Sequence, residues 1–306
     1  MLQQKLVDWF AHDSDVNLLV AERDVVLTYV LRILADAGLL SRLAFKGGTC
    51  IRKVFLGRSG RFSEDLDFTA VGVTDPEDLI LSIAQVFDGR THYGITFSIS
   101  TGDFYVRDDR RACGARVAYA HAWNPTAQFS LDVSLREEPL LGVQNQGLLS
   151  EGYFKSLEFA PPEVQTLRFE EVIAEKIRAA YQRRSVRDIY DLYLFRQKPF
   201  ERQLVRALVV LKLWSVGDTF DPERFLTGLA SERYDWGDLA RLLRRDRRSE
   251  TKAVVASCLS DYGFLRGLAP DEMELAQDPH RRRQDLFQQI VQRLQGAGDH
   301  RRVAGG

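Results

Sequence analysis

Two aspartates alternate with apolar residues in the stretch Ser63-Glu64-Asp65-Leu66-Asp67-Phe68. Alternate residues of a strand share a face, so Ser63, Asp65 and Asp67 would point the same way in a strand. Neighbouring carboxylates repel each other unless a cation lies between them, and a hard divalent ion such as Mg²⁺ prefers oxygen ligands. The pattern therefore predicts either a metal site or a solvent-facing polar edge of a sheet.

A glycine pair, Gly47-Gly48, stands before Thr49 between a short apolar run and a predicted helix. Paired glycines let the backbone approach a ligand closely, and the amide groups at a helix N-terminus can bind a phosphate. The spacing G-x-x-x-x-G-K-[ST] is absent, so this is not a P-loop. It predicts a phosphate cradle or an ordinary turn.

A third aspartate, Asp132, alternates with apolar residues in the stretch 129–135 and shares a face with Ser130 and Ser134. If its strand neighbours that of Asp65, Asp132 can complete a metal site. Otherwise it is an exposed strand aspartate.

A lysine, Lys176, falls on the apolar stripe of a helix predicted over residues 169–182. Such a lysine either extends to water or is held by an anion. Asp188 and Asp191 share a face of the next helix, and Ser185 with Asp188 predicts a capping box at its start. We predict that the Lys176 ammonium pairs with at least one carboxylate among Asp65, Asp67 and Asp188.

The elements that position these residues follow from hydrophobic periodicity. The predicted helices cover residues 18–40, ended by Gly38, and 50–56, 78–87, 169–182 and 185–195, with only helices from residue 200 onward. The predicted strands cover 62–69, 94–100, 115–121 and 127–135, the last two as an antiparallel hairpin. The character changes after Pro161-Pro162, which predicts an α/β core over residues 1–160 and a helical domain over 161–306. The fold class expected is α+β.

Composition excludes several classes of protein. With 306 residues, 45% hydrophobic and 28% charged, the chain is neither disordered nor a small disulfide-stapled scaffold. Its three cysteines are far apart and fit no zinc spacing, which favours a reducing compartment. The N-terminal stretch lacks the apolar core of a signal peptide, and no apolar run is long enough to span a membrane. We expect a soluble cytoplasmic protein.

Charge is unevenly distributed around the net value of −1. Residues 1–150 hold 15 Lys+Arg against 19 Asp+Glu, whereas residues 151–306 hold 27 against 24. The excess arginines form three clusters, at 178–187, 241–248 and 281–283. Such clusters either solvate helix faces or bind a polyanion such as RNA.

Four motifs in this order resemble the AbiEii/AbiGii-type nucleotidyltransferase toxins, a group of the polymerase-β-like superfamily that includes the MenT toxins. The motifs are Lys46-Gly47-Gly48-Thr49, Ser63-x-Asp65-x-Asp67, Lys176-Ile177 and Arg187-Asp188-x-x-Asp191-Leu192. The resemblance covers roughly residues 20–200. Thr49 stands where such enzymes usually carry serine, a change that keeps the hydroxyl.

The resemblance implies a polymerase-β-like core with a small mixed or antiparallel sheet, an NTP co-substrate and Mg²⁺. Asp65 and Asp67 would hold the metal ion, with Asp132 as a candidate third ligand. Residues implied to bind the nucleotide are Lys46, Gly47, Gly48, Thr49 and Ser63. Lys176 would pair with the triphosphate or the transition-state charge. Asp188 would orient Lys176 or act as a general base, and the neighbouring Arg187 favours orientation.

The family further implies the toxin of a toxin–antitoxin system, with a cognate antitoxin encoded beside it. Such an enzyme would transfer a nucleotide to the 3′ end of tRNA and block aminoacylation. The arginines expected to bind the RNA backbone are Arg184, Arg187, Arg244, Arg245 and Arg248. Two alternatives stay open: a nucleotidyl- or phosphoryl-transferase acting on a protein, such as its antitoxin, and a non-catalytic nucleotide-binding module.

Overall fold

The structure, a computed structural model, describes residues 2–231 and 233–304. It divides into two compact units. The first comprises Met1–Pro139, Val143–Leu167 and Ala240–Arg248. The second comprises Leu140–Gly142, Arg168–Leu239 and Ser249–Gly306. The first unit thus runs past the predicted boundary near residue 160 and takes in a short segment from much later in the chain.

A mixed sheet forms the centre of the first unit. In the described chain it has nine strands in the order β3-β4-β6-β7-β2-β1-β9-β8, with β5 paired to β6. The strands are β1 (Leu43–Lys46), β2 (Leu66–Ala70), β3 (Thr91–His92), β4 (Ile95–Ser98), β5 (Phe104–Val106), β6 (Ala112–His121), β7 (Asn124–Ser134), β8 (Val143–Gly147) and β9 (Glu163–Leu167).

The strands nearest the predicted site lie in the middle of this sheet. β2 pairs antiparallel with β1 and parallel with β7, and β6 and β7 form the predicted antiparallel hairpin. Leu66 and Phe68 are fully buried, as the alternation predicts. However, β2 begins at Leu66, so Ser63 and Asp65 lie in the segment that leads into the strand rather than within it. Strands β8 and β9 were not predicted.

Four helices complete most of the first unit: α1 (Gln4–Ser14), α2 (Leu18–Asp36), α3 (Gly47–Cys50) and α4 (Pro76–Phe87). Helix α3 continues as a π-helical segment over Ile51–Leu56. The predicted stop of α2 is confirmed, because Gly38 adopts a φ of 74°, which a residue with a side chain rarely adopts.

A buried ion-pair network anchors the segment that follows the glycine pair. On α2, the Asp24 carboxylate lies 3.0 Å from both Arg52 Nε and Lys53 Nζ. A second carboxylate, Glu151, lies 3.0 Å from Arg52 Nη2. Each of these charges is buried and has an opposite charge beside it, which is the condition under which burial of a charge is tolerated. The network fixes the helical segment directly after Gly47-Gly48.

The second unit is helical. Its helices are α5 (Phe169–Arg183), α6 (Val186–Phe195), α7 (Arg202–Ser215), α8 (Pro222–Ser231), α9 (Trp236–Ala240), α10 (Thr251–Asp261), α11 (Pro270–Ala276) and α12 (Gln284–Ala304). The predicted capping box at the start of α6 is wrong: the Ser185 side chain makes no cap hydrogen bond, and its backbone carbonyl accepts from the Asp188 N–H instead.

The mixed sheet together with a helical unit confirms the α+β class. Among the described residues, no helix is both long enough and apolar enough to cross a membrane. Cys50, Cys113 and Cys258 are buried thiols without disulfide partners.

Candidate active site

Strand register brings the predicted carboxylates to one place in the first unit. Asp67 on β2 pairs with Asp132 on β7 and with Lys46 on β1. The condition set for Asp132 is therefore met, because its strand is the direct neighbour of the strand that carries Asp67. We call Asp65, Asp67 and Asp132 the acidic edge.

Asp65 lies immediately before β2 and accepts a hydrogen bond of 3.1 Å from the Ser130 N–H of β7. Burial raises the pKa of the Asp65 carboxyl, and the nearby Glu64 and Asp132 add to this rise. The Ser130 N–H and Arg23 oppose it without cancelling it. A carboxylate whose surroundings disfavour its negative charge is stabilised by a cation, and oxygen ligands suit a hard divalent ion. The residues thus fit a divalent metal ion, which is one of the two interpretations that the sequence leaves open.

The glycine turn lies against this acidic edge. Gly47 adopts a φ of +72°, and a Cβ there would overlap the Asp67 carboxylate. At Gly48, a Cβ would lie 2.6 Å from Arg61 Nη2 and 2.8 Å from Ser63 Oγ. Glycine is required at Gly47, where the positive φ and the Asp67 carboxylate both exclude a side chain, whereas a side chain at Gly48 would displace the ends of Arg61 and Ser63.

The hydroxyl of Thr49 links the turn to the acidic edge. Its Oγ1 donates a 2.5 Å hydrogen bond to the backbone carbonyl of Asp65. The structure thus brings together the glycine turn, Thr49, Ser63 and the two aspartates, as the motifs suggested. A phosphate held by the turn would be adjacent to a metal ion held by the carboxylates.

Arg61 is a residue that sequence reasoning missed. It is buried, with 5% of its surface exposed, and its guanidinium stands over Gly48. Its Nη1 also donates a hydrogen bond of 3.1 Å to the Phe62 carbonyl. A guanidinium beside a glycine turn can pair with a phosphate in a bidentate manner. In the sequence, Arg61 is marked only by its position two residues before Ser63. It belongs to no periodic pattern that would have indicated a functional role.

The acidic edge is not a complete metal cluster by itself. Within residues 2–231 and 233–304, no three His, Cys, Asp or Glu side chains are grouped so that they could hold a metal ion. One oxygen of Asp132, Oδ1, accepts a 2.5 Å hydrogen bond from the Tyr105 hydroxyl. Asp65 and Asp67 therefore remain the primary ligand candidates, with Asp132 engaged by Tyr105.

Lys176 lies in the second unit, where its ion pairing is as predicted. Its Nζ lies 2.9 Å from Asp188 Oδ1 and 2.9 Å from Asp191 Oδ2, and all three side chains are buried. Arg183 also forms an ion pair with Asp188, with its Nε 2.7 Å from Asp188 Oδ2. Burial acts to raise the pKa of Asp188, but Lys176 and Arg183 outweigh it and hold that pKa well below its ordinary range. A carboxylate so strongly held in its charged form is a poor proton acceptor, which favours orientation of Lys176 over general-base chemistry.

The arginines predicted to bind RNA fall into both units. In the second unit, Arg184 is exposed at the end of α5, and Arg187 pairs with Asp238 at 2.8 Å. In the first unit, Arg244 is half-buried and donates 3.1 Å to the Asp13 carbonyl, whereas Arg245 is 68% exposed.

The segment 240–248 is held beside the acidic edge. Arg241 forms an ion pair with Glu64 at 2.6 Å, and the Leu242 carbonyl accepts a hydrogen bond of 2.9 Å from the Phe62 N–H. Arg248, at the end of this segment, is exposed. The arginine cluster at 241–248, which the sequence analysis placed in the helical domain, thus belongs to the first unit together with the sheet.

An acidic edge beside a glycine turn suits an enzyme that acts on nucleotides, and the family comparison identifies the class as a nucleotidyltransferase. The sequence matches the family described as nucleotidyl transferase AbiEii toxin, type IV toxin–antitoxin system, over residues 29–304. The chain belongs to this family, and it is a nucleotidyltransferase toxin of a toxin–antitoxin system.

Comparison of structures agrees with this assignment. The fold is similar to that of MenT4, a nucleotidyltransferase toxin from Mycobacterium tuberculosis H37Rv, with a TM-score of 0.80 and 26% sequence identity. The match covers 96% of this chain and 99% of MenT4. No curated protein sequence matches the chain.

Proposed function

We propose that the enzyme transfers a nucleotide from an NTP to the 3′ end of tRNA and so blocks aminoacylation. The observation that carries this proposal is the register of Asp67 with Asp132 beside a glycine turn that leaves no room for a Cβ between Gly47 and the Asp67 carboxylate. This arrangement suits a reaction in which a triphosphate and a metal ion must be bound together. As a toxin of this family, the protein acts with a cognate antitoxin, which we expect to be encoded beside it and to meet it in the cytoplasm of the same cell.

The reaction is a displacement at phosphorus. The oxygen of the acceptor hydroxyl forms a bond to the α-phosphorus, and the bond from that phosphorus to the oxygen bridging to the β-phosphate breaks. A nucleoside monophosphate is added to the acceptor, pyrophosphate leaves with the bonding electron pair, and the hydroxyl proton passes to solvent. Catalysis of this type rests mainly on positioning and on neutralising charge.

Backbone and side-chain groups of the first unit would position the substrate and neutralise its charge. The backbone of Gly47 and Gly48 would bind the terminal phosphates, helped by the hydroxyl of Ser63 and by Lys46 on the neighbouring strand. Asp65 and Asp67 would hold Mg²⁺, which supplies charge neutralisation on the triphosphate and activation of the acceptor hydroxyl. The hydroxyl of Thr49 holds the Asp65 backbone in place for this task.

Lys176 in the second unit would pair with the triphosphate or the developing charge. Its ammonium is buried between Asp188 and Asp191 at 2.9 Å from each, so its direction is set before any substrate arrives. Preorganised charge of this kind lowers the barrier because no reorganisation is needed during the reaction. Asp188 is then a positioning residue for Lys176.

Incubation with each α-³²P-labelled NTP, Mg²⁺ and total tRNA, followed by a denaturing gel, tests the proposal. We expect the label on RNA, at the 3′ terminus, and we expect the labelled tRNA to lose its aminoacylation. Label on the toxin or on a co-purified antitoxin would instead identify a protein-modifying transferase. The matched control is the Asp67→Asn variant, which should give no labelled product.

A further inference from the structure

A cavity of about 200 Å³ lies in the first unit beside Asp132. Its lining includes Tyr105 on β5, Arg116 on β6, and Ser130 and Asp132 on β7, together with Gly102, Asp103, Phe104 and Ala115. No local sequence pattern indicates it, because β5 is short and lies far from the motifs in the chain. Of these residues, only Asp132 belongs to the acidic edge.

Sheet order separates this cavity from the glycine turn. β1, which leads into Gly47-Gly48, lies on one side of β2, and β7 followed by β6 lies on the other. In an in-line displacement, the attacking and leaving oxygens lie on opposite sides of the phosphorus. If the glycine turn binds the phosphates that leave, the acceptor hydroxyl must approach from the β7 side. The cavity is on that side.

The lining suits a nucleoside rather than a peptide side chain. Tyr105 supplies a half-buried ring on which a base can stack. Its ring lies on the same face of the sheet as Asp132, because Tyr105 pairs with Gly114 of β6 and Gly114 pairs with Asp132 of β7. Tyr105 is held in place, because its hydroxyl donates to Asp132 and because a Cβ at Gly114 would lie 2.8 Å from its Cε1. A serine or threonine acceptor would need neither a stacking surface nor a nearby cation.

Arg116 supplies the positive charge. It is exposed on β6 and stands opposite Ser130 of β7. Among the side chains that the structure describes, it has no carboxylate partner. Its guanidinium is therefore available to pair with an incoming phosphate, which a planar bidentate donor does well.

We propose that this cavity binds the 3′-terminal nucleoside of the RNA acceptor, with its base against Tyr105 and its 5′-phosphate on Arg116. The ribose hydroxyl then faces Asp132 and the acidic edge. The inference rests on the proposed function and names the part of the first unit that selects the acceptor.

The test uses the full chain and a fluorescent single-stranded RNA of about ten nucleotides that ends in a 3′-hydroxyl, with binding measured by anisotropy in EDTA. Base stacking on an aromatic side chain typically contributes enough that Tyr105→Ala weakens RNA binding about tenfold or more. Tyr105→Phe keeps the ring and should bind RNA nearly as well as wild type. Should Tyr105→Ala fail to fold, Tyr105→Leu, which removes the aromatic ring but keeps a large apolar side chain, serves in its place.

Arg116→Gln should weaken binding of the same RNA and reduce the slope of log K against log salt by about 0.7. The matched control is Arg90→Gln, an exposed arginine before the edge strand β3, which should leave both unchanged. In the transfer assay, Tyr105→Ala and Arg116→Gln should raise the KM for RNA and leave the KM for the NTP unchanged.

Three results would overturn the inference. Wild-type RNA affinity in both Tyr105→Ala and Arg116→Gln would show that the acceptor binds elsewhere. A higher KM for the NTP alone would assign the cavity to the incoming base. Label on protein, with no RNA binding by wild type, would reject the inference and the proposed function together. By contrast, Tyr105-dependent RNA binding without transfer to RNA would reject only the proposed function.

Discussion

The acidic edge of the first unit and the Lys176 network of the second unit are built in opposite ways. In the first unit, burial and the neighbouring Glu64 and Asp132 raise the pKa of Asp65. In the second unit, Lys176 and Arg183 outweigh burial and lower the pKa of Asp188. One group is destabilised in its charged form, and the other is stabilised.

This difference indicates which group depends on a ligand. The network around Lys176 contains its own opposite charges, each within 2.9 Å, so its charged state does not depend on a ligand. The acidic edge places like charges on adjacent strands, and a bound cation would relieve their repulsion. Polar groups that are costly without a ligand are typical of binding sites, whereas balanced ion pairs serve to orient side chains.

The largest effect is expected from loss of the acidic edge. Asp65→Asn or Asp67→Asn should lower transfer by about a thousandfold or more, because charge stabilisation at the reacting phosphate is lost. Stability should change by less than about 1 kcal/mol or increase, since like charges no longer repel. Transfer assays and urea unfolding in EDTA measure the two effects. An unfolded variant, combined with wild-type activity that resists EDTA, would show that the carboxylates are structural.

In the Lys176 network, by contrast, loss of a charge should lower the stability of the fold as well as the activity. Lys176→Ala leaves Asp188 and Asp191 buried without their shared cation, which should cost about 3–5 kcal/mol of stability as well as activity. Lys176→Arg restores charge but not the compact ammonium, so it should recover stability better than activity. The discriminating variant is Lys176→Met, with Asp188→Asn and Asp191→Asn added. If this triple variant is stable and still fully active, Lys176 has no part in the reaction.

A smaller but sharper effect is the pH dependence of stability, which should have opposite signs at the two aspartates. Asp65 has a raised pKa in the folded state, so its contribution is greatest below the unfolded value of about 4 and is lost as pH rises. Asp188 has a lowered pKa, so its contribution is present above about 4 and is lost as pH falls. The free energies of unfolding of wild type, Asp65→Asn and Asp188→Asn, measured in EDTA at acidic and neutral pH, give both contributions. If the two substitutions changed the pH dependence of stability in the same direction, the comparison would be contradicted.

The smallest effect concerns the arginines of segment 240–248. Arg245→Gln together with Arg248→Gln should weaken tRNA binding and flatten its salt dependence by about 0.7–0.9 for each phosphate that the arginines no longer neutralise. Stability should hardly change, because both side chains are exposed. Arg244→Gln is the matched control, since Arg244 donates to the Asp13 carbonyl and should affect stability more than binding. Unchanged tRNA affinity in the double variant would mean that these arginines only solvate the surface.

Much of the fold and of the candidate site was predictable because it depends on local patterns. Alternation in 62–69 and 127–135 placed Leu66, Phe68 and Asp132 on the correct faces of two strands. Helical periodicity placed Lys176 on a buried stripe, and its pairing with Asp188 followed from the cost of burying a lone ammonium. The start of β2 at Leu66 was missed, because strand pairing rather than alternation decides where a ladder begins.

Residue types and spacing by themselves determined the chemistry available to this protein: two alternating carboxylates, a glycine pair before a helix and a lysine on an apolar face. These features depend on neighbours a few residues away, so they can be read along the chain. The tertiary structure alone decided that Asp132 lies beside Asp67, that Arg61 stands over Gly48 and that Tyr105 binds Asp132. Those pairs join residues far apart in sequence, and they follow from strand order and register, which no local pattern specifies.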